Sequence, residues 1–291
     1  MTFQGDGPLD TGGVSGGGGG RGGRVAIGGG AGLVVVVIAA LVFGINPADI
    51  LGGGGGDYST GDVGAEGSGA GQIDDQIKSC TIEKANTDTV CRIVATTNSL
   101  GDVWPQLMSD YTEPQTVIFS GSVDTGCGSA TSAVGPFYCP SDQTAYFDPS
   151  FFDTLERQLG GSDGPLAQEY VVAHEFGHHV QHVQGLDEKA QQMGSKGAKS
   201  GSVRLELQAD CYAGVWANRA DDGKDAMLEP ITDQQISDVI TTARAIGDDK
   251  LSGGSSDGWT HGSSSQRVRW FSIGYQSGEV KRCDTFSTDD L

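Results

Sequence analysis

Apolar positions along the chain fall into three patterns. The first is a single uncharged run, Val25 to Ile45, whose middle (Leu33 to Phe43) is wholly apolar. Twenty-one residues at a helical rise span about 30 Å, the thickness of a bilayer core. The second is helical spacing. Leu166, Tyr170, Ala173, Gly177 and Val180 make one stripe, widened by Val172, Phe176 and Val183. A helix apolar over that much of its circumference is mostly buried. Ile236, Val239, Ile240, Ala243 and Ile246 repeat the spacing behind a capping box, Thr232-x-x-Gln235, as do Val268, Phe271 and Tyr275 behind Ser263-x-x-Gln266. Residues 73–111 read mostly helical, with Trp104-Pro105 near a helix start. The third pattern is short and β-branched or aromatic: Gln115 to Ser120 and Thr144 to Asp148 are expected strands.

Composition changes this picture in the N-terminal third. Of the 48 glycines of the 291-residue chain, 23 crowd into positions 11–32 and 52–71, two stretches that bracket the wholly apolar Leu33 to Phe43. Such stretches cannot build a core. The expected layout is therefore a disordered Gly-rich cytoplasmic tail over 1–24, a transmembrane signal anchor over 25–45, a Gly-rich linker over 46–72 and a globular domain over 73–291. Arg21 and Arg24 before the run, and Asp49 and Asp57 after it, orient the N-terminus to the cytoplasm. A cleaved signal peptide is the rival reading. The expected location is the cell membrane, crossed once, with the domain extracytoplasmic.

Charge and cysteine sharpen the reading of the domain. The formal net charge is −20. The first 24 residues balance and residues 25–48 carry none, so the whole excess lies beyond the apolar run. Such a surface repels nucleic acid, which is excluded as a partner. Six cysteines, at 80, 91, 127, 139, 211 and 283, suit disulfides in an exported domain. Locality pairs Cys80 with Cys91 and Cys127 with Cys139, which leaves Cys211 for Cys283. No C-x-x-C pair supports a cysteine zinc site.

The chemistry concentrates at His174-Glu175-Phe176-Gly177-His178. On a helix, H-E-x-x-H sets two imidazoles one turn apart on one side. They can supply two nitrogens to a zinc ion. Glu175, about a quarter turn round, is placed to act on water as a general base. A slipped pair, His178 with His182, lacks a glutamate at the base position. The third ligand is expected from Glu206, in the run Glu206-Leu207-Gln208-Ala209-Asp210. Asp210 then accepts a hydrogen bond from the far nitrogen of a ligating histidine. Ala213, Gly214 and Ala217, facing Ala173 and Gly177, are small enough to let the two helices approach. Arg267 and Arg269 are expected to pair with carboxylates near the helices.

The H-E-x-x-H…E-x-x-x-D arrangement resembles the gluzincin metallopeptidases. The strings Gly135 to Pro140 (GPFYCP), His174 to Gln181 (HEFGHHVQ), Glu206 to Ala217 (ELQADCYAGVWA) and His261 to Trp270 (HGSSSQRVRW) resemble the bacterial neutral zinc metallopeptidase family, whose members are similarly membrane-anchored. The resemblance covers about Ile73 to the C-terminus. It implies an α+β fold: a predominantly helical zincin-like metallopeptidase domain with a small sheet, here preceded by one transmembrane helix and Gly-rich disordered segments. It implies one zinc ion on His174, His178 and Glu206, with Glu175 catalytic and a protein or peptide as substrate. By the same resemblance, Thr144 to Asp148 is the strand on which substrate would add, with Tyr146 a possible donor to it. His261 either stabilises the oxyanion or braces its loop. Two alternatives stand beside this reading: a membrane-tethered binding or scaffold protein keeping a structural zinc, and hydrolysis of a non-peptide amide.

Overall fold

The computed structural model describes residues 2–18, 68–222, 226–251 and 255–291. The fold is α+β, with helices predominant. In chain order the elements begin with β1 (Val14–Gly17), α1 (Ser68–Lys78), α2 (Ile82–Ala85), α3 (Thr89–Leu107) and β2 (Gln115–Phe119). Next come β3 (Ser122–Thr125), β4 (Gly128–Thr131), β5 (Phe137–Cys139), β6 (Thr144–Phe147) and α4 (Ser150–Arg157). The rest is helical: α5 (Pro165–Val183), α6 (Leu186–Gln192), α7 (Gly201–Ala220), α8 (Asp233–Ala245), α9 (Asp248–Leu251) and α10 (Ser264–Ser277).

The centre of the core is α5 against α7, with α10 packed on α7 and its Phe271 ring against Tyr170 of α5. Small residues set both spacings. A Cβ on Gly177 would lie 3.0 Å from the Cα of Ala209, so α5 and α7 touch backbone to backbone there. The α7–α10 contact is closer still. A Cβ on Gly214 would lie 2.2 Å from the Phe271 carbonyl oxygen, and one on Gly274 would lie 1.9 Å from that of Cys211. Gly214 thus serves α10 rather than α5, the partner expected for it. Both capping boxes form, at Thr232 and Ser263. The cap of α7 is Ser200, whose side chain accepts from the Val203 N–H. Trp104-Pro105, expected near a helix start, occupies the last turn of α3. Three disulfides close the expected pairs, Cys80–Cys91, Cys127–Cys139 and Cys211–Cys283.

The main sheet has the order β1-β2-β6-β5, with β1, β2 and β6 parallel and β5 antiparallel to β6. This corrects the expectation that substrate adds to β6. A strand accepts another only along an unpaired edge, and both edges of β6 are already filled by β2 and β5. Tyr146 is also committed: its hydroxyl donates to Asp142 Oδ2 at 2.8 Å and its ring stacks on Phe137. The Gly/Ser-rich stretch 121–136 contains the β3–β4 hairpin. The connection from α5 to α7 contains α6.

The largest departure from expectation is at the N-terminus. Residues 2–18 are not a disordered tail but a strap across the domain. Phe3, Leu9 and Val14 are buried in the main core. Thr2 and Phe3 give their N–H groups to Asn86 Oδ1, and the Thr2 hydroxyl donates to the buried Glu169 on α5. β1 pairs with β2 from Val14↔Thr116 to Gly17↔Phe119. It lies so close to α1 that a Cβ on Gly16 would meet the Ala70 carbonyl oxygen at 2.6 Å. The expected transmembrane span, 25–45, and the linker up to residue 67 lie outside the described residues. The segments that bracket them are in contact. A single crossing of a ~30 Å hydrocarbon layer would set those segments on opposite sides. Among the described residues no helix is long and apolar enough to cross a membrane. The expectation of a transmembrane helix is therefore not supported and is corrected.

Because Phe3 fills a site in the main core, Phe3→Ala is expected to lower stability by about 3 kcal/mol, measured by urea unfolding of the full chain. An unchanged midpoint would mean that the strap does not lie on the domain.

Candidate metal centre

His174, Glu175 and His178 project from the middle of α5, and Glu206 and Asp210 from the facing turn of α7. All five are buried. His174 Nε2 lies 3.2 Å from Glu206 Oε2, and His178 Nε2 lies 3.3 Å from Glu206 Oε1. The second pair is not aligned to share a hydrogen, and both of its atoms lack a hydrogen-bond partner. One ligand atom from each of the three residues falls within 4.8 Å of the others. A tetrahedral zinc with arms of about 2.0–2.1 Å has ligand–ligand edges of about 3.3 Å, which matches the two printed separations. The two imidazoles stand edge to face, 4.8 Å between centroids, as converging ligands do. The residues fit a zinc ion.

Each histidine is oriented from behind by a different device. Asp210 Oδ1 accepts from His174 Nδ1 at 2.9 Å, which turns Nε2 towards Glu206. The same oxygen accepts from the Tyr170 hydroxyl at 2.5 Å and from Arg267 Nη2 at 2.8 Å, and Oδ2 accepts from Arg267 Nε at 2.8 Å. For His178 the acceptor is Gln181 Oε1, 2.9 Å from Nδ1. Gln181 can only be oriented that way, because its amide nitrogen donates to the Leu205 carbonyl at 2.7 Å. It donates also to Gln208 Oε1, and Gln208 donates in turn to the Cys283 carbonyl. A hydrogen-bonded chain thus runs from His178 to the Cys211–Cys283 bridge.

Electrostatics in this volume follow from burial and pairing. Burial alone lowers the His174 pKa, but hydrogen bonds to Asp210 and Glu206 reverse the effect and raise it to about 9. His178 is raised as well: Glu206 outweighs its burial. Burial opposes the charge on Glu206, yet the two imidazoles hold its pKa well below the usual range. Asp210 is lowered in the same way by Arg267, against its burial. Glu175 moves the other way. Burial raises its pKa, and neither carboxylate oxygen has a partner.

Arg267 enters as the guanidinium on Asp210, where sequence reasoning had only a generic carboxylate partner for it. Arg269 pairs with Asp290 at the surface instead. Tyr170 and Gln181 were missed as parts of the site. Tyr170 read as one of the apolar stripe. Gln181 stands three residues after His178, on the same side of the helix, and that spacing was the available clue. His182 turns to Asp187, 2.7 Å from its Nδ1, and is not paired with His178. His179 is fully buried between the Tyr138 hydroxyl and the Thr112 carbonyl. His261 lies in the buried loop before α10. Its hydrogen bonds run to Asp248 and Thr260, and Asp248 Oδ2 also gathers the N–H groups of Thr260, His261 and Gly262.

Two helices carry a buried His-His-Glu triple that could hold a metal ion, beside an unpartnered glutamate. The family described as "Putative neutral zinc metallopeptidase" matches residues 5–286, and the chain belongs to it. The uncharacterized protein Rv2575 of Mycobacterium tuberculosis is 52% identical over 217 residues, covering 71% of this chain and 74% of that protein. The uncharacterized protein YpfJ of Escherichia coli is 41% identical over 204 residues, covering 67% and 69%. No solved structure matches the chain.

A histidine whose pKa is raised is protonated over a wider pH range, and a metal must displace that proton. Zinc uptake near pH 7 is therefore expected to release protons. Apparent affinity should climb about tenfold per pH unit for each proton displaced, flattening above about 9, where His174 is already neutral. Calorimetry in buffers of different ionisation enthalpy measures the release. A pH-independent affinity would contradict the arrangement.

Proposed function

We propose that the chain is a zinc-dependent peptidase, with the metal held by His174, His178 and Glu206. The bound ion supplies Lewis-acid polarisation of the scissile carbonyl and acidifies water. Glu175 takes the proton of the attacking water and passes it to the leaving amine. Its environment supports that role. Burial raises its proton affinity, and both oxygens are free of protein partners. Asp210 and Gln181 keep the two imidazoles facing the ion. His261, clamped by Asp248, is the candidate donor to the oxygen that gains charge as water adds to the carbonyl.

The observation that carries this reading is Glu175. A structural zinc site needs ligands only, and a fully buried carboxylate with two unpartnered oxygens beside them is a cost without a purpose. That favours the hydrolase over the scaffold reading. The substrate is an unstructured protein or peptide segment, and the strongly acidic surface disfavours nucleic acid as a partner. Three disulfides support an oxidising, extracytoplasmic setting.

Glu175→Gln is expected to bind one zinc per chain, as wild type does, and to cleave an unfolded protein at least ~100-fold more slowly. Metal analysis and a proteomic cleavage assay on both proteins measure this. Equal cleavage by the two would remove the mechanism.

A further inference from the structure

We infer that Arg267 is a positioning residue of the metal centre, coupling ligand His174 to the loop that carries His261. The inference rests on the zinc reading above and goes beyond it, because Arg267 touches no substrate and holds no metal. The argument starts from the freedom of Asp210. A carboxylate that orients an imidazole must present one oxygen in the ring plane, and it can rotate about its own terminal bond. The guanidinium removes that rotation. Its Nε takes Oδ2 and its Nη2 takes Oδ1, each at 2.8 Å, so both oxygens are fixed by one rigid fork. Oδ1 is then held where His174 Nδ1 reaches it at 2.9 Å. A lysine would supply the charge without the plane.

The rest of the guanidinium faces the other way. Nη1 donates to the Ile246 carbonyl at 3.3 Å. Ile246 caps α8, two residues before Asp248, the carboxylate that gathers the backbone of residues 260–262 and faces His261 Nδ1. Arg267 itself lies on the first turns of α10, directly after that loop. One fully buried side chain therefore spans the two segments that must keep register, α7 with Asp210 and the α8–α9 corner with Asp248. Its charge is tolerated because Asp210 cancels it at contact distance.

The test uses the full chain as wild type, Arg267→Lys, and the double variant Asp210→Asn with Arg267→Met. Three quantities are read: zinc release to a chromogenic chelator, the visible absorption spectrum of the cobalt-substituted protein, and the melting temperature after metal removal. Arg267→Lys keeps the charge and loses the fork. It is expected to release zinc roughly 10- to 100-fold faster and to shift the cobalt bands. The double variant removes both charges together, so the metal-free fold is expected to survive, with zinc release again accelerated. If Arg267→Lys matches wild type in release rate and cobalt spectrum, even with a lowered melting temperature, Arg267 is only a structural tie and the inference fails, whatever the double variant does. If wild type itself takes up neither zinc nor cobalt, it is the zinc reading that fails.

Discussion

The centre of this protein is governed by a charge that cannot stay unbalanced. With the imidazoles neutral, three carboxylates (Glu175, Glu206 and Asp210) share a buried volume with one guanidinium, Arg267. That leaves two negative charges in a place where water cannot solvate them, a state of prohibitive cost. A divalent cation restores neutrality. In its absence protons do so, and the raised proton affinities of His174, His178 and Glu175 are that compensation seen one residue at a time. Metal binding and proton binding are thus alternative solutions to one electrostatic requirement.

The fold supplies the rigidity that such a volume needs. Three helices meet almost backbone to backbone where Gly177, Gly214 and Gly274 leave room. Charged side chains on facing turns are therefore held by main chain rather than by long flexible arms. His174, Glu175 and His178 come from α5, Glu206 and Asp210 from α7, and the arginine paired with Asp210 comes from α10. The N-terminal strap reaches the same assembly from outside, through the contact of Thr2 with Glu169 at the start of α5.

Much of the site was legible in sequence because helical spacing converts directly into direction. His174 with His178, and Glu206 with Asp210, are each one turn apart, and two such pairs on apolar helices leave few ways to assemble. Tertiary partners were less legible. Gln181 carries no chemistry that marks it, and Tyr170 hides its hydroxyl within an apolar stripe. Arg267 declares its charge but not which carboxylate it meets. The strap escaped for a different reason. Phe3, Leu9 and Val14 follow no period, and the glycines between them mimic a linker, although Gly16 is small because α1 presses on it. The sheet misled in its order: β6 reads as a substrate strand until β5 is seen to occupy its second edge.

The hydrogen-bonded chain from His178 through Gln181 and Gln208 to the Cys283 carbonyl ties the tail's covalent anchor to that imidazole. Thermodynamic reciprocity then constrains both ends. By whatever factor opening the Cys211–Cys283 bond loosens the grip of His178, metal occupancy must protect that bond from reductants by the same factor.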